Sequence, residues 1–127
     1  MMLLDSNVII YAAQAEHQFL RDLIARHSPY VSAVSYLEVL GYHRLKTHDR
    51  KYFELFFDAA EVLEISQKIV IKVVELRQIQ KMSLGDSLIA ATALINDLIL
   101  VTRNTEDFSW ITQLKLLDPF ARTNITL

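Results

Sequence analysis

Short apolar runs alternate with longer amphipathic segments along this chain. Three runs favour β-strands, at residues 1–4, 30–32 and 99–102, and two weaker runs lie at residues 61–65 and 114–117. Between the runs, apolar residues recur at the spacing of a helix face. The predicted helices cover residues 7–23, 33–45, 52–60, 67–80 and 84–96. Strands that alternate with helices predict an α/β fold, in which right-handed crossovers join parallel strands.

The composition fits one globular domain. Of 127 residues, 52% are apolar and 22% are charged, without repeats or a linker, so we expect a single domain over residues 1–127. The longest uncharged apolar run, residues 88–95, is far shorter than the roughly 18 residues that a membrane span needs. Residues 1–5 lack the basic region and the apolar length of a signal peptide. We therefore expect a cytoplasmic protein that does not contact a membrane.

Cysteine, glycine and charge content exclude several kinds of site. Without cysteine the chain has no thiol nucleophile, no disulfide and no cysteine-ligated zinc. Its two glycines, Gly41 and Gly85, do not form the glycine-rich loops that bind nucleotides. A net charge of −2 provides no overall basic field for nucleic acid. The charged segment 44–51 is a local exception, either a solvated helix end plus loop or a surface for RNA phosphates or an acidic partner.

Four acidic residues stand where apolar segments begin or end: Asp5, Glu38, Asp86 and Asp107. Acids that flank strand ends and helix starts converge at one edge of an α/β sheet. A carboxylate cluster needs a cation to be stable, and hard oxygen ligands suit divalent metals. The four histidines form no close ligand pair. The pattern therefore predicts a divalent-metal hydrolase.

Each acid also has a structural interpretation. Asp5 suits the N-cap of the next helix, where Asn7 would either cap as well or support Asp5. Glu38 suits the thin polar face of its helix. Asp86 completes Ser83-x-x-Asp86, which has the form of a capping box, although a helix N-terminus also keeps a carboxylate ionised for metal binding.

The segment after the strand at residues 99–102 leaves two further alternatives. Asp107 suits a polar turn, and Glu106 competes with it as the last ligand of the site. Arg103 either binds a phosphate next to the site or is an ordinary surface arginine.

Taken in order, four local signatures resemble those of PIN-domain ribonucleases, and among them the VapC toxins of bacterial and archaeal toxin–antitoxin pairs. Residues 3–11 are similar to the family's opening strand and first acid, and residues 35–40 to its Ser-x-x-Glu helix. Residues 84–91 are similar to its Asp-x-x-Ile-Ala-Ala helix start, and residues 101–108 to its Thr-x-Asn-x-x-Asp-Phe turn. Ser6 stands where threonine is common in the family, which keeps the hydroxyl.

The resemblance implies a three-layer α/β/α fold around a parallel sheet of four to five strands, and metal-dependent cleavage of RNA phosphodiesters. The cofactor would be Mg²⁺ or Mn²⁺, held by the same acids that are catalytic. Position by position, the implied catalytic and metal-binding residues are Asp5, Glu38, Asp86 and Asp107, with Asn7, Thr102 and Asn104 in support. The family also implies a homodimer that a VapB-like antitoxin inhibits by laying a segment over the acidic pocket.

Two alternatives stay open. Leu4-Asp5-Ser6-Asn7 faintly resembles the hydrophobic-Asp-x-Asp opening of haloacid-dehalogenase phosphatases, although Asn7 replaces the second acid. Such an enzyme would hydrolyse small phosphate esters and trap phosphate on Asp5. The other alternative is a PIN-like module that binds a partner or RNA without cutting, and the presence of all four acids argues against it.

Overall fold

Short strands and longer helices alternate through residues 1–121, the part of the chain that the computed structural model describes. The strands are β1 (Met2–Leu4), β2 (Val31–Ser32), β3 (Val62–Leu63), β4 (Ile99–Val101) and β5 (Leu116–Leu117). The helices are α1 (Ser6–Ala12), α2 (Gln18–His27), α3 (Ala33–Leu40), α4 (Thr47–Ala59), α5 (Gln67–Ile79), α6 (Leu84–Ile95) and α7 (Thr105–Phe108). None of these helices is long and apolar enough to cross a membrane. Residues 122–127 of the predicted domain lie outside the described residues.

The strands form a parallel sheet in the order β3-β2-β1-β4-β5. β1 pairs with β4 from Met2 and Ile99 to Leu4 and Val101, β4 pairs with β5, and β2 pairs with β3. β1 and β2 are joined through Tyr30, whose amide donates to the Met2 carbonyl at 2.8 Å and whose carbonyl accepts from the Leu4 amide at 3.0 Å. The parallel sheet confirms the predicted α/β fold.

The order of the strands reverses at β1. From β1 the chain passes through β2 to β3, and it then crosses back to β4 and β5 on the other side of β1. In parallel α/β sheets, ligands bind at such a reversal, beyond the carboxyl ends of the strands. Asp5 directly follows β1 and Thr102 directly follows β4. The topology therefore brings both residues to the position expected for a site.

Neighbouring strand residues face opposite sides of the sheet, as the pleat of a strand requires. Leu3 and Leu100 are buried in one apolar cluster with side chains of α5 and α6. Leu4 and Val101 are buried in a second cluster with side chains of α1, α2 and α4. Helices thus cover both faces of the sheet, which confirms the predicted three-layer arrangement.

The predicted helix over residues 7–23 is wrong in its middle, because the chain forms two helices there. α1 ends at Ala12 and α2 begins at Gln18. Arg21 Nη1 donates to the carbonyl oxygens of Ala12 and Gln14, each at 2.7 Å. These bonds satisfy carbonyls that a continuous helix would use internally. Both helices contribute to the same apolar cluster, so the apolar spacing continues across the break and does not reveal it.

The segment after α3 also differs from prediction. The predicted helix over residues 33–45 ends at Leu40, and Gly41 takes the C-cap position. The charged segment 44–51 begins as a loop, and its second half forms the start of α4 at Thr47 rather than a loop after a helix. A four-residue helix, α7, replaces the turn that was predicted around Asp107.

Candidate active site

Asp5 is held between the first strand and the helix that follows it. It is the N-cap of α1, because its Oδ1 accepts a hydrogen bond from the Ser6 amide at 2.8 Å. Its Oδ2 accepts a hydrogen bond from the Thr102 hydroxyl, also at 2.8 Å, across the gap between β1 and β4. Asp5 is only 5% exposed. Asp5 thus caps α1, and this contact fixes its carboxylate where the strand order reverses.

Glu38 reaches the same region from α3. Its Oε1 accepts a hydrogen bond from the Ser6 hydroxyl at 2.8 Å, and that hydroxyl also lies 2.8 Å from the hydroxyl of Ser35. Its other oxygen lies close to Gly85, in the first turn of α6. Ser6 therefore connects two acids, since its amide binds Asp5 and its hydroxyl binds Glu38.

Asp86 lies one residue after Gly85 in the first turn of α6. The Ser83 hydroxyl accepts a hydrogen bond from the Asp86 amide at 3.1 Å and so caps the helix. Burial raises the pKa of Asp86 above its ordinary value, and the nearby carboxylates of Asp107 and Glu38 raise it further. A hydrogen bond from the Ser83 side chain acts in the opposite direction and lowers this pKa.

The pKa of Asp5 is raised as well. Burial is the main cause, and the carboxylates of Asp86 and Glu38 add to it. The hydrogen bonds from Thr102 and Ser6 act in the opposite direction and lower this pKa. The charges of Asp86 in α6 and of Glu38 in α3 therefore reach Asp5 at the start of α1.

Asp107 completes the group from α7. It is exposed, and its charge raises the pKa of Asp86. Glu106, the competing ligand, contributes to the pKa of neither Asp5 nor Asp86. Of these two residues, Asp107 is therefore the one whose charge reaches another of the four acids.

Of the three predicted supporting residues, Thr102 contacts an acid directly. It is fully buried, donates to Asp5, and accepts a hydrogen bond from the Asn104 amide at 3.1 Å. The side chains of Asn7 and Asn104 are exposed, and within residues 1–121 neither forms a hydrogen bond with an acid.

None of the four acids forms an ion pair with a basic side chain among residues 1–121. Arg103 lies four positions before Asp107, but its guanidinium group packs over the rings of Phe120 and Tyr11. Its guanidinium carbon is 4.2 Å from the centroid of Phe120 and 5.2 Å from that of Tyr11.

Clustered carboxylates without a cation repel one another, and their hard oxygen atoms suit Mg²⁺ or Mn²⁺. No three potential ligands within the described residues are close enough to hold one ion together. The donor set nevertheless fits the ion chemically, because all four side chains are carboxylates.

Sequence reasoning missed two neighbours of these acids. Ser6 was noted only as a replacement for threonine, yet its hydroxyl binds Glu38, which is 32 positions away. No local signal predicts a contact at that separation. Gly85 lies against the Glu38 carboxylate. A signal did exist for Gly85, because glycine in the first turn of a helix is unfavourable and needs a reason.

A cleft of about 650 Å³ lies beside the acids and is lined by parts of α1, α3 and α4 and by the loop before α4. Apolar side chains such as Ile10 and Phe53 line it together with Arg44 and Lys46. Glu38 lines it as well, so the cleft and the acidic site share one carboxylate. Part of the charged segment 44–51 therefore borders a cavity.

The chain is thus an α/β protein with acids beyond its parallel strands, where the strand order reverses. The PIN domain family matches residues 2–112, and the chain belongs to this family, as its motifs predicted. No curated protein sequence matches the chain. The family match favours the PIN interpretation over the haloacid-dehalogenase alternative.

Solved structures of toxin–antitoxin complexes resemble the chain along most of its length. A chain of a toxin–antitoxin complex from Klebsiella pneumoniae is 28% identical, with a TM-score of 0.75 over 94% of this chain and 98% of that one. A chain of a DNA-bound VapBC complex from Salmonella typhimurium is 20% identical, with a TM-score of 0.80 over 94% and 99%. A chain of VapBC-1 from nontypeable Haemophilus influenzae is 23% identical, with a TM-score of 0.78 over 94% and 98%. The last two similarities concern the fold alone.

Proposed function

We propose that this protein is a metal-dependent endoribonuclease and the toxin of a VapBC-like toxin–antitoxin pair. The proposal rests on four acids in a chain of the PIN family: Asp5, Glu38, Asp86 and Asp107. Their charges raise the pKa values of Asp5 and Asp86, so the four side chains act on one electrostatic site. Two of these acids have raised pKa values without a basic partner among residues 1–121, which is the state that a bound cation relieves. The solved toxin–antitoxin complex from Klebsiella pneumoniae, with a chain 28% identical to this one, supports the role of a toxin.

Mg²⁺ or Mn²⁺ is the proposed cofactor, and the four acids are its proposed ligands and the catalytic groups. When bound, the ion supplies charge neutralisation at the scissile phosphodiester and activation of a water molecule for in-line attack. The chain's own contacts orient the acids. The Ser6 amide and the Thr102 hydroxyl hold Asp5, and the Ser6 hydroxyl holds Glu38. Asn7 and Asn104 are proposed to support the site through water or the RNA.

RNA cleavage with and without metal tests this proposal. Purified protein is incubated with total RNA and Mn²⁺ or Mg²⁺, with and without a chelator, beside the variant Asp86→Asn. Asp58→Asn is the matched control, because Asp58 is an exposed aspartate on a different helix, α4. We expect cleavage that requires both the metal and Asp86 and that persists in Asp58→Asn.

Two results would contradict this expectation in different ways. Cleavage by Asp86→Asn at the wild-type rate would refute the assigned site. A folded wild-type protein that binds Mn²⁺ but leaves every RNA intact would instead favour a module that binds a partner or RNA without cutting.

We also propose that the cleft beside the acids receives a segment of a VapB-like antitoxin. Ile10 and Phe53 offer an apolar lining, Arg44 and Lys46 offer positive charge, and Glu38 and Asp49 offer negative charge. A segment with apolar side chains and charged groups of both signs complements this lining. Because Glu38 lines the same cleft, a segment bound there would cover part of the acidic site and prevent RNA from reaching it.

Ile10→Asp tests this partner site. Ile10 is 42% exposed and lines the cleft, whereas Leu55 is 71% exposed on α4 and does not, so Leu55→Asp is the matched control. We expect Ile10→Asp to weaken binding of a VapB-like antitoxin by at least roughly tenfold, because an unpaired charge would enter an apolar contact. Equal antitoxin binding by wild type and Ile10→Asp, measured by calorimetry, would rule out this cleft.

The proposed homodimer has a suitable surface on α5. Val70 and Val74 lie one turn apart and are 48% and 52% exposed, and Ile71 between them is 54% exposed. Adjacent exposed apolar side chains on one helix are typical of a protein interface. In a two-fold dimer the same patch meets itself, which an uncharged patch permits without repulsion. We therefore propose a second copy of the chain as its partner.

A further inference from the structure

Gly85 stands at a helical position where backbone conformation gives no reason for glycine. It lies in the first turn of α6, a helix of 12 residues, and glycine is among the poorest helix formers. Neither glycine of the chain has a positive φ, so the left-handed conformations that glycine permits are not used. The reason for glycine here must be the space that a side chain would take.

The Glu38 carboxylate occupies that space. A Cβ added to Gly85 would lie 2.7 Å from Glu38 Oε2 and 3.5 Å from Glu38 Cδ. The three atoms nearest to that Cβ all belong to this carboxylate, and the first contact is shorter than non-bonded carbon and oxygen atoms tolerate. The other carboxylate oxygen accepts the hydrogen bond of Ser6. Glu38 is thus held between the Ser6 hydroxyl and Gly85.

We propose that Gly85 is a positioning residue of the acidic site, because its missing side chain leaves the place where the Glu38 carboxylate lies against the start of α6. That place is next to Asp86, whose pKa the charge of Glu38 raises. This inference rests on the proposed function only for the role of Glu38 as a metal ligand. The displaced group in Gly85→Ala is the end of a flexible side chain, so Glu38 moves and the fold is retained.

The other glycine of the chain provides a matched contrast. A Cβ on Gly41 would overlap the backbone carbonyl oxygen of Leu37 at the C-terminal end of α3. Backbone at a helix end cannot move aside as freely as a side-chain carboxylate. Gly41→Ala is therefore expected to lower the melting temperature, whereas Gly85→Ala is expected to keep it and to alter the site.

Two measurements test the role of Gly85, one without metal and one with Mn²⁺. The first follows the ¹³C resonance of the Glu38 carboxyl carbon in metal-free protein, assigned by its absence in Glu38→Gln. We expect this resonance to shift in Gly85→Ala. The second measures Mn²⁺ affinity by calorimetry, which we expect to fall by at least roughly tenfold in Gly85→Ala. In a Glu38→Ala background, adding Gly85→Ala should produce no further loss, because the carboxylate is already absent.

Three results would overturn the proposal: an unmoved Glu38 resonance in folded Gly85→Ala, an equal loss of Mn²⁺ affinity in the Glu38→Ala background, or a melting temperature lowered as in Gly41→Ala. A wild-type protein that binds no Mn²⁺ would contradict the proposed metal chemistry instead. In that case the metal-free resonance still decides whether Gly85 positions Glu38.

Discussion

The hydrogen bond between Thr102 and Asp5 offers the sharpest test of the electrostatics of the site. Thr102 is fully buried, donates to Asp5 Oδ2 at 2.8 Å, and accepts from the Asn104 amide at 3.1 Å. Thr102→Val preserves the shape of the side chain and removes both bonds. A hydrogen bond to a charged group contributes about 1.5–3 kcal/mol, so we expect the free energy of unfolding to fall by about 2–3 kcal/mol at neutral pH.

This loss should depend on pH. The pKa of Asp5 in the folded protein is raised above its ordinary 3.8, mainly by burial, and the Thr102 hydrogen bond opposes the rise. Ionised Asp5 therefore destabilises the fold above this pKa, and stability increases as the pH falls from it toward 3.8. Thr102→Val raises the folded pKa further. The difference in the free energy of unfolding between wild type and Thr102→Val therefore has its full value above the folded-state pKa of Asp5 in the variant. This difference decreases as the pH falls through that pKa.

Urea unfolding of the metal-free proteins at about pH 7 and at about pH 4 measures this difference. Thr102→Ser is the matched control, because it keeps the hydroxyl and removes one methyl group. Its loss should be about 1 kcal/mol and should not change with pH. The reasoning would be refuted by a Thr102→Val loss that is equal at both pH values, or no larger than that of Thr102→Ser.

Three further predictions follow from other contacts. Mn²⁺ should raise the melting temperature at neutral pH. This increase should become smaller as the pH is lowered, because Asp5 and Asp86 have raised pKa values and protons then compete with the metal for their carboxylates. An increase that is independent of pH would contradict the assigned ligands. Val74→Lys should convert a dimer to a monomer in light scattering while Leu55→Lys leaves it intact, and a dimeric Val74→Lys would exclude the α5 face. Arg21→Ala should lower the free energy of unfolding by about 1–2 kcal/mol in urea, because three backbone carbonyls lose a charged donor, and Arg21→Lys should recover only part; no loss would contradict a stabilising role of these bonds.

The parallel sheet could be predicted because its central strands are apolar on both faces. Leu3 and Leu4, like Leu100 and Val101, are buried in opposite clusters, so no polar residue interrupts these runs. The break between α1 and α2 could not be predicted in the same way. It depends on Arg21, which binds backbone carbonyls of the preceding turn through a contact that apolar spacing does not encode.

The sequence motifs select four acids for the proposed site, but they do not reveal how these acids are connected to their neighbours. The motifs around Asp5 and Asp86 follow directly from positions at a strand end and a helix start, which are local features. The contacts of Ser6 and Gly85 with Glu38 join helices that are distant in sequence, and they depend on how α1, α3 and α6 meet. The different electrostatic effects of Glu106 and Asp107 depend on the same information, because both are exposed and, of the two, Asp107 raises the pKa of Asp86.

Glu38 belongs both to the proposed metal site and to the proposed antitoxin cleft, and this sharing has a measurable consequence. A cation on the acids neutralises the charge that a cleft ligand meets at Glu38, so each ligand changes the affinity of the other. Thermodynamic linkage requires the two changes to be the same factor. Antitoxin affinity measured with and without Mn²⁺ should therefore change by the factor by which antitoxin changes Mn²⁺ affinity, and Glu38→Gln should abolish that coupling. Coupling that persists in Glu38→Gln would show that the two sites communicate through another residue, and independent binding in the wild type would show that Glu38 is not shared.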